Sequence, residues 1–177
     1  MDWLTIREFL LDTIKMATTI FIIFFVMVYV CSITQVVGDS MNPTLRSGEV
    51  LVLDKLKYRF FDIERGDIVS IEYDDSKFLI KRIIGLPGEN VTIKNNQVYI
   101  NGLLLSEEYL DAPLNYDDFH LSSLGYTTIP ADMYLVLGDN REDSMDSRDT
   151  KVGLISKDEV MGKIDARIWP IANLSIF

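Results

Sequence analysis

The sequence has one cysteine, Cys31, and one histidine, His120, in 177 residues. One cysteine makes no internal disulfide, and the two together fall short of the four ligands of a structural zinc site. A cysteine–histidine protease is nearly excluded, because Cys31 lies in an apolar run. A Ser-His-Asp triad would have to run through His120 alone. Basic residues are also few, seventeen against twenty-seven acidic, for a net charge of −10 and a pI near 4.5. Such a surface repels phosphate and argues against a nucleic-acid binder. The P-loop, H-E-x-x-H and S-x-x-K motifs are missing, and Gly38-Asp39-Ser40-Met41-Asn42 lacks the second glycine of a nucleophile elbow. The oxygen-rich stretch from Gly138 to Arg148 lacks EF-hand spacing, so neither a metal nor another cofactor is expected.

Apolar residues are abundant and unevenly placed: the mean hydropathy is +0.15 despite the acidity. From Met16 to Gly38 no residue is charged, and Ile20 to Val30 reads IFIIFFVMVYV. At 1.5 Å per residue, Met16 to Thr34 reaches about 28 Å, close to the thickness of a bilayer's hydrocarbon core. A buried core helix is the bland alternative, but a helix apolar all round needs a large domain to cover it. A cleaved secretory signal is the other, but Gln35-Val36-Val37-Gly38-Asp39 offers no small-residue cleavage pattern. The expected organisation is an amphipathic lead-in at 1–15, a transmembrane anchor at 16–37 and a soluble part at 38–177. Arg7 and Lys15 precede the anchor while only Arg46 follows closely, which favours a cytoplasmic N-terminus.

The soluble part reads as mainly β. Val50–Leu53, Ile68–Tyr73, Phe78–Ile84, Met133–Leu137 and Lys163–Trp169 are short runs rich in β-branched residues. Val91–Lys94, Asn95-Asn96 and Gln97–Ile100 spell a hairpin with a two-residue turn. Ser156-Lys157-Asp158-Glu159 is a capping box and predicts a helix start. Residues 95–130 are expected to form a smaller inserted unit.

Within the strand Phe78–Ile84, alternation puts Lys81 between Leu79 and Ile83. Burial there would disfavour the ammonium and lower its pKa, making a neutral lysine a competent base for a serine hydroxyl without histidine. A strand-edge lysine that blocks aggregation is the structural alternative. Ser40 follows Thr34 by six residues, at most about 20 Å of chain, so it is expected at the membrane surface.

Four segments in order resemble the type I signal peptidases, membrane-anchored Ser/Lys proteases. They are Ser40-Met41-x-Pro43-Thr44-Leu45, Arg65-Gly66-Asp67-Ile68-Val69, Lys81-Arg82-x-x-Gly85-Leu86-Pro87-Gly88, and Gly138-Asp139-Asn140 with Ser144-x-Asp146-Ser147-Arg148. The likeness covers nearly the whole chain and is closest to the compact single-span members of Gram-positive bacteria. It implies one transmembrane helix, then an antiparallel β catalytic domain with a small β insertion. It implies Ser40 as nucleophile and Lys81 as general base, with Ser144 orienting the amine and an Asp146–Arg148 salt bridge bracing the site near Arg82. By motif position Met41, Leu45 and Ile80, and less directly Leu79, would wall the substrate pocket, ordinary core residues being the alternative. Some members carry an oxyanion-stabilising hydroxyl two residues before the nucleophile; here that residue is Gly38.

The implied substrates are secretory preproteins, cut on the extracytoplasmic side of the membrane near the secretion translocon. The alternative function is a non-hydrolytic relative that serves surface-protein or pilus assembly, but both Ser40 and Lys81 are kept here. A self-cleaving repressor of the same chemistry would lack the anchor, and His120 belongs to none of the four segments.

Overall fold

A computed structural model describes residues 3–74, 77–110 and 116–177. The chain opens with helix α1 (Trp3–Phe25), which continues as a wider turn over Val26–Val30. The 28 residues from Trp3 to Val30 are long and apolar enough to cross a membrane, and none of the most apolar stretch is buried in the protein. A helix with apolar side chains all round and no protein cover is what a lipid solvent stabilises.

This helix differs from the expected layout at both ends. The lead-in and the anchor are one continuous helix rather than two units, and the helical part stops at Val30, short of the expected 37. Cys31–Gln35 instead form strand β1, paired antiparallel with β2 (Val50–Asp54), Cys31 opposite Asp54 and Gln35 opposite Val50. Hydropathy cannot separate these two states: the β-branched Ile33 and Thr34 suit a strand, and the partner strand supplies the backbone hydrogen bonds. Met1 and Asp2 of the lead-in, and 111–115 of the expected insertion, lie outside the described residues.

After β2 come helix α2 (Lys57–Phe60), β3 (Ile68–Asp74) and β4 (Lys77–Gly85). Then follow β5 (Val91–Lys94), β6 (Gln97–Ile100), β7 (Leu103–Leu104) and β8 (Phe119–His120). The chain finishes with β9 (Met133–Leu137), β10 (Ile155–Ser156), β11 (Val160–Trp169) and β12 (Ser175–Ile176). Two sheets result: one in the order β1-β2-β11-β3-β4-β9-β10 with β12 on β11, the other β7-β6-β5-β8. This mainly antiparallel architecture behind an apolar helix is the expected fold class. The β5–β6 hairpin forms in register through Asn95-Asn96, both with positive φ as a tight turn needs. The capping box forms at Ser156, where Asp158 N–H donates to Ser156 Oγ, but it starts only a three-residue 3₁₀ turn.

The core is in three parts. Met41, Leu45, Leu51, Leu53, Ile68 and Ile164 pack beneath the loop that carries Ser40. Ile71, Ile83 and Val136 pack on one side of the larger sheet, and Ile84, Val91, Ile93 and Leu135 join the two sheets. Each such side chain removed from water contributes roughly 1.5–3 kcal/mol. Gly85 ends β4 at the joint between the sheets. A Cβ there would lie 2.5 Å from Ile129 Cδ1 and 2.7 Å from Val91 Cγ2. Gly85→Ala is therefore expected to lower the stability of the detergent-solubilised chain by about 1–3 kcal/mol through overpacking, measured by thermal or denaturant unfolding.

Candidate active site

β4 sets the site. Lys81 pairs with Val69 of β3, and its neighbour Arg82 pairs with Ile68. The two side chains go to different duties. Lys81, 2% exposed, places Nζ 2.6 Å from Ser40 Oγ. Burial lowers its pKa from the ordinary lysine value to about 8, with Arg148 pushing the same way and Asp146 and Asp139 opposing. The ammonium form donates to the hydroxyl; once neutral, the same contact lets the hydroxyl donate to the amine.

Arg82 instead forks onto Asp139, Nε to Oδ1 at 2.9 Å and one terminal nitrogen to Oδ2 at 2.6 Å. Asp139 also accepts from Thr44 Oγ1 at 2.5 Å, and Arg82 donates to Gly66 O at 2.9 Å. The turn carrying Ser40 is held by backbone contacts as well: Asn140 N–H donates to Ser40 O at 3.0 Å, and Asn140 Nδ2 to Asp39 O at 3.1 Å. Arg167 of β11 donates to Thr44 O and to Glu49. Gly38 has φ +91°, a left-handed backbone that a side chain would strain, which explains the missing hydroxyl at that position.

The loop after β9 carries the other expected residues. Arg148 grips Asp146 with two bonds of 2.8 Å, and Asp146 accepts the Gly138 N–H at 3.0 Å. Burial pushes the Asp146 carboxyl up, but the Arg148 hydrogen bonds and charge and the Gly138 N–H together hold it below the ordinary range. Ser144 makes no hydrogen bond to Lys81: its Oγ is buried beside the Asp146 carboxylate, which its hydroxyl helps hold down, without a hydrogen bond of full geometry. It stands close to the nucleophile, since a Cβ added at Gly138 would fall 2.2 Å from Ser144 Oγ and 2.4 Å from Ser40 O.

A cleft of about 600 Å³ leads away from Ser40 and Lys81. Thr34 to Gly38 form one wall, Lys77 to Ile80 the other, with Ser70, Tyr73, Met145 and Lys151 at the margins. Met41 and Ile80 line it as expected by motif position, and so does Leu79. Leu45 does not: it is wholly buried in the apolar cluster under the Ser40 loop. β9 pairs with β4 only from Arg82 onward, so the edge of Lys77–Lys81 beside the cleft has no strand partner among the described residues.

Sequence reasoning gave no role to Asp139, Asn140, Thr44, Glu107 or Arg141. Arg141 is 1% exposed and ion-paired to Glu107, with its Nε donating to Gly138 O at 2.9 Å. The available signal was chemical: an arginine inside an apolar strand, such as Arg82, needs a buried carboxylate. His120 is exposed, on β8 of the smaller sheet.

Comparison with known proteins follows the same lines. The family model described as "Signal peptidase, peptidase S26" matches residues 10–169. The chain is 34% identical to the "Probable signal peptidase I-2" of Synechocystis over 168 residues, 91% of this chain and 73% of that one. It is 34% identical to the "Signal peptidase IB" of Staphylococcus aureus over 179 residues, 94% and 93% of the two chains. A crystal structure of a signal peptidase I from Enterococcus faecalis V583, 37% identical, superposes with a TM-score of 0.53 over 59% of this chain and 97% of that chain.

Lys81 is buried at a cost while charged, and this cost has a pH signature. Below about pH 8 the folded and unfolded chains both hold the proton, and the fold bears the desolvation. Between about 8 and the unfolded value of 10.5 only the unfolded chain holds it, so stability rises with pH. Lys81→Met is expected to stabilise the protein at pH 7 by roughly 1–3 kcal/mol, with the gain shrinking from pH 8 to 10.5. Denaturant unfolding at a series of pH values measures both; no gain at pH 7 would show the ammonium to be at ease where it is.

Proposed function

The chain belongs to the signal peptidase, peptidase S26, family, and on that premise we propose that it is a membrane-anchored serine endopeptidase that removes N-terminal signal peptides from secreted preproteins. Ser40 is the nucleophile and Lys81 the general base. The observation that carries this reading is the 2.6 Å contact between Lys81 Nζ and Ser40 Oγ in the lining of a cleft with an unpaired strand edge.

The cleft favours an extended peptide. Its unpaired β4 edge offers backbone groups for one more strand, as in other cases of strand addition to a sheet edge. Met41, Leu79 and Ile80 supply the apolar wall nearest the nucleophile. Ser40 Oγ attacks the scissile carbonyl carbon as its proton passes to neutral Lys81 Nζ. The tetrahedral oxygen is stabilised by the backbone N–H of Ser40. Collapse breaks the C–N bond, Lys81 returns the proton to the leaving amine, and water then hydrolyses the acyl-enzyme by the same base. Ser144, a buried hydroxyl beside Ser40 with no hydrogen bond of full geometry, is placed to take up one as Lys81 gains its proton. Asp146, Arg148 and Arg82 hold the loops in place. No step calls for a metal or cofactor.

Membrane seating is supported by the anchor and by Phe60 and Phe61, 75% and 62% exposed. They come six and seven residues after Asp54, the end of β2 that pairs with Cys31 and is tied to the helix end by the Lys55 N–H to Val30 O bond, and such exposed rings suit the headgroup level. We assign the N-terminus to the cytoplasm and residues 38–177 to the outer side, where preproteins emerge from the translocon.

Ser40→Ala is expected to reduce cleavage of a preprotein in detergent at least about a thousandfold; equal cleavage would overturn the assignment. For the wild type, kcat/KM should fall about tenfold per unit as pH drops below about 8, as Lys81 takes up its proton. A profile flat to pH 5 would remove lysine as the base.

A further inference from the structure

The soluble part, residues 38–177, carries fifteen basic and twenty-four acidic residues, yet the cleft at Ser40 does not share this balance. Besides Lys81 it is lined by two more lysines, Lys77 and Lys151, both exposed. No carboxylate is among its described lining residues. Glu72 and Asp74 of β3 face Phe78 and Lys77 across the strands but lie outside the lining, and Asp149 is turned to accept the Lys151 N–H. Neither Lys77 nor Lys151 has an ion pair among the described residues. A cationic cleft in an anionic protein concentrates negative charge.

The cleft also has a direction. β1, β2, β11, β3 and β4 are linked by four successive antiparallel pairings, so β1 and β4 run in the same sense. Both walls therefore run from a distal end, at Thr34 and Lys77, toward Ser40 and Lys81. Thr34 is four residues past Val30, the end of the membrane helix, which makes the distal end the membrane-proximal one. A signal peptide has its apolar core in the bilayer, so the residues before the cut enter there and run toward Ser40. Lys77 is four positions before Lys81 on an extended strand, so it lies about 13 Å away and faces a substrate residue about four positions upstream of the cut.

We propose that Lys77 and Lys151 are specificity-determining residues that favour an acidic side chain at about the fourth or fifth residue before the scissile bond. This rests on the signal peptidase reading of the site and extends it to the substrate. Matched peptide substrates carrying Glu, Gln or Lys at those positions, otherwise identical, test it in a neutral detergent with the full chain. The expected order of kcat/KM is Glu above Gln above Lys, with about tenfold between the extremes at low salt and less at high salt. The double variant Lys77→Glu/Lys151→Glu should invert that order, an outcome that loss of structure alone does not produce. Cleavage of the Gln substrate by wild type and its loss in Ser40→Ala report on the peptidase reading separately. Equal rates for all three substrates would overturn the proposal, as would a preference unchanged in the double variant. A response of the double variant only to anionic vesicles, with no change in substrate order, would assign the two lysines to lipid phosphate and overturn it too.

Discussion

Arg82 and Asp139 form a buried ion pair at the junction of three segments, and the site's geometry rests on it. Arg82 belongs to β4, Asp139 follows β9, and Thr44 brings the Ser40 loop onto the same carboxylate. Two ions withdrawn from water repay their desolvation only in good geometry with their remaining hydrogen-bonding capacity used. Here the fork is two-pronged, and Gly66 O and Thr44 Oγ1 take up further capacity. Displacing β4 or the Asp139 segment would strand a charge, and displacing the Ser40 loop would take a hydrogen bond from the carboxylate. Because Arg82 adjoins Lys81 in the strand, the same constraint fixes the backbone from which the amine reaches Ser40.

The guanidiniums around the site, two buried and one half-buried, are matched one to one: Arg82 with Asp139, Arg148 with Asp146, Arg141 with Glu107. Lys81 has no carboxylate at ion-pair distance among the described residues. It is left as the cation whose cheapest relief is to lose its proton, which is why burial wins over the Asp146 and Asp139 charges. The segment after the smaller sheet's third strand contributes to this balance. Glu107 comes from it, and the Tyr109 ring covers the Arg82 guanidinium at 3.9 Å.

Much of this was legible in the sequence where the signal is local. Short runs rich in β-branched residues located β2, β3, β4, β9 and most of β11, and Asn95-Asn96 located the hairpin, because residue preference and turn chemistry act within a few residues. The apolar count found the anchor but overran its end, since Cys31–Gln35 are apolar enough for a helix and are claimed by β2 through pairing with residues at least 15 positions away. Lys81 stood out as a charge in an aliphatic strand. Leu45 did not separate from Met41 by motif position, because only packing decides that one lines the cleft while the other lies under it. Asp139 and Glu107 were silent for a related reason: an acidic residue in a polar stretch shows no sign of the guanidinium that comes to meet it.

Under the proposed function, the unpaired edge of Lys77–Lys81 would constrain the shape of what can be cut. A polypeptide adds to such an edge only if its own N–H and C=O groups are free. Within a helix those groups are already engaged, so a helical stretch finds no partners in the cleft. The edge therefore acts as a filter on conformation before any side chain is inspected. A precursor whose apolar core stays coiled in the bilayer would present its first usable residues only where that coil ends. The distance from coil end to cut would then be set by the length of this edge as much as by the residues it flanks.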